Sequence, residues 1–279
     1  MNTPTSSITL PQLSLIRDSS GPRVLGRSPE IPFEVEEQAL SIVLRFGARG
    51  SASTIPAGTF LLKSRTGDRL FLGSFAESPG LESTLLFRLT YFAHKFRPLV
   101  DPFRFAERFP ANGAKGELPL IDWEPVPEPH RPVEAIRELL KTGDSPLLLG
   151  VTQALLDGCK IAISTKEASP EFVQQVWQLM PEMARWETTF TTFAASVELN
   201  VDLAVVAEGV PIPPGFLTAE QARDYPEGRY ELSLQLAAEE GNQHKLDKLF
   251  SRKTSNQVLR MVITMIVFAF IAIVIIRLL

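Results

Sequence analysis

Residues Met261 to Ile276 read MVITMIVFAFIAIVII, sixteen consecutive positions with no charge and one hydroxyl, that of Thr264. Val258 and Leu259 precede the run and Leu278 and Leu279 follow it, so the apolar stretch approaches the ~20 residues that cross a bilayer core of ~30 Å. Eleven of the sixteen are Ile, Val or Phe; at roughly −0.3 to −0.6 kcal/mol each, these favour insertion by about 3 to 7 kcal/mol. A core helix at a chain end would carry a polar stripe, and a β-branched run of this length in water would be an aggregation hazard. The stretch is therefore read as a transmembrane helix over 258–279. Arg252, Lys253 and Arg260 flank it on one side and Arg277 on the other, where long side chains snorkel to headgroups.

Working outward, the basic residues set an orientation. Lys245, Lys248, Arg252, Lys253 and Arg260 precede the span and only Arg277 follows it, which places the preceding region in the cytoplasm. The first twenty residues, MNTPTSSITLPQLSLIRDSS, lack a basic start followed by a continuous apolar run, so no signal peptide is read. The expectation is a single-pass, tail-anchored membrane protein with its N-terminal region cytoplasmic and the lipid bilayer as one partner. A lone cysteine, Cys159, suits a reducing compartment and excludes a disulfide framework.

The formal net charge of −4 over 279 residues averages unlike regions. Residues 42–110 carry 10 basic and 5 acidic side chains, whereas 111–240 carry 9 and 21. An acidic block of that size repels phosphates, so no nucleic-acid partner is expected. Three scattered histidines and one thiol give no metal-ligand spacing, and neither a metal nor a cofactor is expected. A phosphate loop, an H-E-x-x-H helix and a G-x-S-x-G elbow are all absent from the sequence, so no catalytic residue is assigned.

The fold class read from the pattern is α+β: two mixed α/β subdomains followed by a single C-terminal transmembrane helix. Residues 1–30, rich in Ser, Thr, Pro and Gly, read as a flexible arm. Residues 31–118 read as a β-rich subdomain, because Gln38–Phe46, Thr59–Lys63, Arg69–Phe75 and Leu85–Tyr91 alternate. Prolines at 119, 125, 127, 129 and 132 make 119–131 an extended linker or a strap hugging the surface. Residues 132–236 read as an α/β subdomain, with helix starts at Pro132, Ser145 and Ser169-Pro170 and strands at Cys159–Ile163, Thr188–Ala194 and Val197–Val206. Tyr230–Leu236 alternates like an edge strand, although a helix fits it too, and 237–257 reads as a polar stalk.

Candidate site residues come from a basic-aromatic stretch and from two tryptophans. Arg88, Lys95, Arg97, Arg104 and Arg108 are interleaved with Phe92, Phe96, Phe103, Phe105 and Phe109. This composition can bind single-stranded nucleic acid or an anionic lipid surface, the latter favoured for a domain held at a cytoplasmic leaflet, or it can be an ordinary core overlaid by snorkelling side chains. His94 is read as structural or partner-contacting. Trp177 and Trp186 flank the Pro181 break and read as core or partner anchors. The alternative is a membrane-bound hydrolase using Cys159 as nucleophile and His94 as base; a thiol on an apolar strand more simply behaves as a small hydrophobe.

Two stretches resemble a known family. Ser145–Ala195, containing SPLLLGVTQALLDGCKIAIS and VWQLMPEMARWETTFTTFA, resembles the middle part of bacterial GTPase-associated proteins, and Tyr91–His94 (YFAH) resembles an F-A-H element in their N-terminal domain. The resemblance covers roughly half the chain and rests on hydrophobic patterns. It implies an adaptor or scaffold working with small GTPases, and it transfers no active-site residue. The chain departs from the family in lacking its long C-terminal extension and in ending on the apolar run. The functional expectation is a membrane-anchored cytoplasmic adaptor without catalytic activity.

Overall fold

A proline and a glycine turn organise the start of the chain. In the computed structural model, which describes residues 7–47, 55, 57–80, 84–126, 130–166 and 169–251, Pro11 separates strand β1 (Ile8–Leu10) from β2 (Gln12–Asp18). Gly21, at φ +103°, turns β2 into β3 (Gly21–Arg27), a conformation that glycine adopts without steric cost. Helix α1 (Phe33–Arg45) follows, then the antiparallel strands β4 (Gly58–Lys63), β5 (Arg69–Glu77) and β6 (Leu85–Ala93). A 3-10 helix (His94–Leu99) leads into α2 (Pro102–Arg108), and the short strands β7 (Gly116–Glu117) and β8 (Ile121–Trp123) close this half.

The second half alternates helices and parallel strands. It comprises α3 (Val133–Thr142), α4 (Ser145–Leu156), β9 (Lys160–Thr165), α5 (Pro170–Leu179), α6 (Glu182–Glu187), β10 (Phe190–Ala194), β11 (Leu203–Ala207), β12 (Phe216–Leu217), α7 (Ala219–Arg223), α8 (Arg229–Glu239) and α9 (Gln243–Phe250). All strands except β1 and β8 belong to one ten-stranded sheet of order β12-β9-β11-β10-β4-β5-β6-β2-β3-β7. Its parallel part (β10, β11, β9, β12) joins its antiparallel part through the β10–β4 pair, where Phe190 faces Leu61 and Thr191 faces Phe60. The protein is thus mixed α/β, and the two expected subdomains share one hydrogen-bonded ladder.

Helices cover both faces. On one, Phe46 at the end of α1 packs on Phe75 and Phe87, with ring centroids 4.7 and 5.2 Å away. On the other, α2 and α5 lie over Phe190. At the far end, Gly150 lets α4 cross α7 closely: a Cβ there would run into the carbonyl oxygen of Ala222. Gly150→Ala is therefore expected to lower the unfolding free energy by about 1–3 kcal/mol by overpacking, outweighing the ~1 kcal/mol that alanine gains in an isolated helix. Urea denaturation of the variant measures this, and an unchanged midpoint would contradict the close crossing.

Several expectations are corrected here. Residues 38–45 are helical and Phe46 caps the helix: Val35, Ala39, Ile42, Val43 and Phe46 form the buried stripe at the 3.6-residue period. The alternation arose because partly buried Leu40 and exposed Leu44 interleave with buried Ile42 and Phe46. The arm expected to be flexible supplies β1–β3, with Leu10, Leu13 and Leu15 buried, because β2 is an interior strand between β6 and β3. The proline-rich linker behaves as a strap, held by β8 pairing with β1 and by buried Ile121 and Trp123. Tyr230–Leu236 lies in α8. The expected stalk is folded as far as Phe250: Leu246 and Phe250 are buried, and Arg131 lies 3.4 Å from the Phe250 ring centroid.

The description of the chain as transmembrane, tail-anchored and single-pass is also corrected: among the described residues no helix is long and apolar enough to cross a membrane. The expected span at 258–279 and its flanking Arg252, Lys253, Arg260 and Arg277 lie outside the described residues.

Candidate functional site

The strand seam is sealed by an aromatic cluster drawn from both halves. Phe103 in α2 stacks on Phe190 in β10 with centroids 5.4 Å apart and planes 10° from parallel. Trp177 in α5 meets Phe190 edge-on at 5.2 Å and Phe103 at 6.0 Å. Above this floor, the 3-10 helix, α2, α3, α5 and α6 enclose a cavity of about 510 Å³, within the range of ordinary ligand pockets. All three tryptophans of the chain, Trp123, Trp177 and Trp186, line it.

The charge of its wall is one-sided. Arg131, whose Nη2 lies 3.9 Å from Glu182 Oε1, lines the cavity with Arg97, Arg104, Arg185 and His130, and the single carboxylate among the described lining residues is Asp101. That carboxylate is already engaged, accepting from the backbone N–H groups of Phe103 and Arg104 at 2.9 and 3.1 Å as the N-cap of α2.

Arg97 is the least ordinary of these residues. It is 3% exposed, and its Nη2 donates to the carbonyls of Arg185 and Thr188 at 2.9 and 3.2 Å. Its guanidinium also lies over Trp177, 4.9 Å from the ring centroid. These contacts give Arg97 a structural role, closing the carbonyl end of α6. They leave Nε and Nη1 buried without an acceptor, and the indole Nε1 of Trp186 is buried in the same condition. Burial, with buried Arg185 as the second cause, pushes the Arg97 guanidinium down to about 9, so it remains charged at neutral pH with no carboxylate within ion-pair distance among the described residues.

Of the eight residues named from sequence, the fold gathers Arg97, Arg104, Trp177 and Trp186 around this cavity. Arg88 lies elsewhere, on β6: its Nε and Nη2 donate to Gln12 Oε1 at 2.9 and 2.6 Å, and burial lowers its pKa. Arg88 and Arg108 both lie over Phe109, at 5.0 and 5.6 Å. Lys95 is exposed and lies over Phe96 at 5.0 Å. His94 opens the 3-10 helix, its backbone N–H donating to Asp68 O at 3.0 Å. Sequence reasoning missed Arg185, Arg131, Trp123 and His130. Nothing local marks Arg185 as meeting Arg97, 88 positions away, or Arg131 as meeting Gln178 and Met180, 47 and 49 positions away.

The Cys159/His94 pairing is corrected. Cys159 precedes β9 and His94 follows β6, five strands apart in the sheet order, or roughly 24 Å at ~4.8 Å per step. The Cys159 Sγ lies instead 3.5 Å from the Tyr225 hydroxyl, which donates to Asp157 Oδ2 at 3.3 Å. The hydrogen bond to Cys159, followed by burial, raises the Tyr225 pKa. Among the described residues no group of three or more His, Cys, Asp or Glu side chains could hold a metal ion. No protein-family model matches the chain, and no curated protein or solved structure matches it either.

Proposed function

We propose that the protein is a non-catalytic binding module, an adaptor that receives part of its partner in the cavity at the strand seam. The observation that carries this reading is the convergence of four arginines and three tryptophans, from both halves of the chain, on one open space. Buried aromatic and arginine side chains are the residue types that dominate recognition surfaces. The described lining contains no Ser, Thr, Cys or Lys, the residues most often activated as nucleophiles. The resemblance to GTPase-associated proteins makes a small GTPase the first class of partner to test.

Ala135 supplies the test. It lines the cavity from an exposed position on α3, so Ala135→Trp fills the space without entering the core. Partner recovered by affinity capture with the full chain is expected to fall at least tenfold with Ala135→Trp. The melting temperature should move by only about 2 °C, as for other surface substitutions. Equal recovery by the two proteins would remove the cavity from the interaction and overturn the reading.

A further inference from the structure

We infer that helix α1 is the seam of a symmetric dimer, in which its outward stripe of Phe33, Leu40 and Leu44 packs antiparallel against the same stripe of a second copy of this chain. The inference does not depend on the cavity and concerns another face of the molecule.

Helix α1 is apolar on two sides. Val35, Ala39, Ile42, Val43 and Phe46 form the buried side. Phe33, Leu40 and Leu44 follow one another at spacings of seven and four, which lines them up on a helix, and at ~100° per residue that line runs nearly opposite the buried side. Phe33 is 66% and Leu44 56% exposed, the two most exposed large apolar side chains among the described residues; Leu40 between them is half-buried. Single exposed apolar residues are ordinary on a surface, whereas three in line on a helix that already has a buried side form a seam of the spacing a second helix fills. Glu37 shares the line and is exposed, a charged interruption that costs such a seam stability while fixing its register.

The order of charges makes the occupant a second copy. Exposed Glu34 stands at one end of the stripe and Arg45 at the other. Arg45 Nε donates to Ser41 O of its own helix at 3.3 Å, a neutral acceptor. Phe33 and Leu44 are eleven positions apart, and so are Glu34 and Arg45; this is about three turns, so each pair shares a side. A two-fold axis crossing the middle of the stripe reverses one helix and keeps matching flanks together. It sets Phe33 on Leu44 of the second copy and Glu34 beside Arg45 of the second copy, each contact occurring twice. A parallel arrangement would set Glu34 against Glu34. The antiparallel one also opposes the two helix dipoles, and a contact of this self-complementary kind closes at two copies.

The seam leaves the cavity free. Ser74 and Phe75 are successive on β5 and so point to opposite faces of the sheet; Ser74 Oγ donates to Phe109 O at the end of α2, whereas Phe75 packs on Phe46 at the end of α1. A helix seam of roughly 16 Å covers less than the ~800 Å² per subunit of a standard interface, so the dimer assembles at concentrations on the order of micromolar.

Sedimentation velocity of the full chain over about a hundredfold range of concentration tests this, in a mild non-ionic detergent that keeps the apolar run 261–276 from driving association. A monomer–dimer equilibrium is expected, weakened at least tenfold by Phe33→Gln and by Leu44→Gln. Both side chains are exposed, so the melting temperatures of these variants should stay within about 2 °C of the parent. Glu34→Arg or Arg45→Glu alone should weaken the dimer about threefold or more, and the two together should restore it to within about twofold. A monomer throughout, association that Phe33→Gln and Leu44→Gln leave unchanged, or a double swap no tighter than the single ones would overturn the inference. A chain that stays monomeric yet loses partner capture in Leu44→Gln would give this face to a different protein and overturn the dimer too.

Discussion

Phe190→Ala is expected to lower the unfolding free energy by about 3–5 kcal/mol, as deletion of a fully buried aromatic ring does. Phe190 is wholly buried and touches both sides of the seam, through Phe103 on α2 and Trp177 on α5. Its removal opens a void beneath the cavity floor, and refilling that void would tilt the Trp177 face on which Arg97 rests. For a chain of this size the loss corresponds to a fall in melting temperature on the order of 10 °C. Differential scanning calorimetry gives the number, and a drop below about 1 kcal/mol would mean that the ring does not hold the two halves together.

Trp123→Ala should cost a comparable 3–5 kcal/mol, although Trp123 sits in the segment whose prolines suggest a linker. The side chain is fully buried and its Nε1 donates to Leu99 O at 2.7 Å, pinning the end of the 3-10 helix. Phe105 and Phe109 pack against it at 6.3 and 6.5 Å, and Arg104 and Arg108 lie over it at 5.3 and 5.7 Å. Its loss removes a hydrogen bond to a carbonyl, a large apolar volume and part of the cavity wall together. Trp123→Phe keeps most of the volume and separates the hydrogen bond from the packing. Denaturant unfolding of both variants provides the comparison, and stability unchanged in Trp123→Ala would return the strap to the status of a linker.

Sequence signals were legible where local chemistry decides the structure. The helix after Pro132 ends at Gly143, α4 begins at Ser145-Pro146, and α5 starts after Ser169 and stops before Pro181, because caps and prolines act within a few residues. The N-cap of α4 is Asp144, one residue earlier than the Ser145 expected, its carboxylate accepting from Leu147 N. Alternation misled in residues 38–46 because a helix carrying apolar residues on more than one side mimics a period of two over a short window. The arm and the strap were illegible for another reason: their order comes from β2 inserting between β6 and β3 and from β8 meeting β1, 111 to 115 residues apart from Ile121↔Leu10 to Trp123↔Ile8. Arg97, Arg104, Trp177 and Trp186 could be named as candidates, but their meeting depends on the β4–β10 pairing, a tertiary event with no local signature. The unmet donors of Arg97 and Trp186 are likewise a property of packing, since any surface arginine would have found water.

The β4–β10 ladder has a consequence for biosynthesis. Strand β4 is complete once residue 63 has emerged, whereas its neighbour on that side, at 190–194, is translated well over a hundred residues later. At ~5–20 residues per second, the nascent antiparallel half spends roughly ten seconds with an open, apolar border (Phe60, Leu61 and Leu62 are all buried in the finished molecule). Bare strand borders of this kind recruit other chains, so protection at the ribosome exit should matter more for this protein's yield than its final stability does.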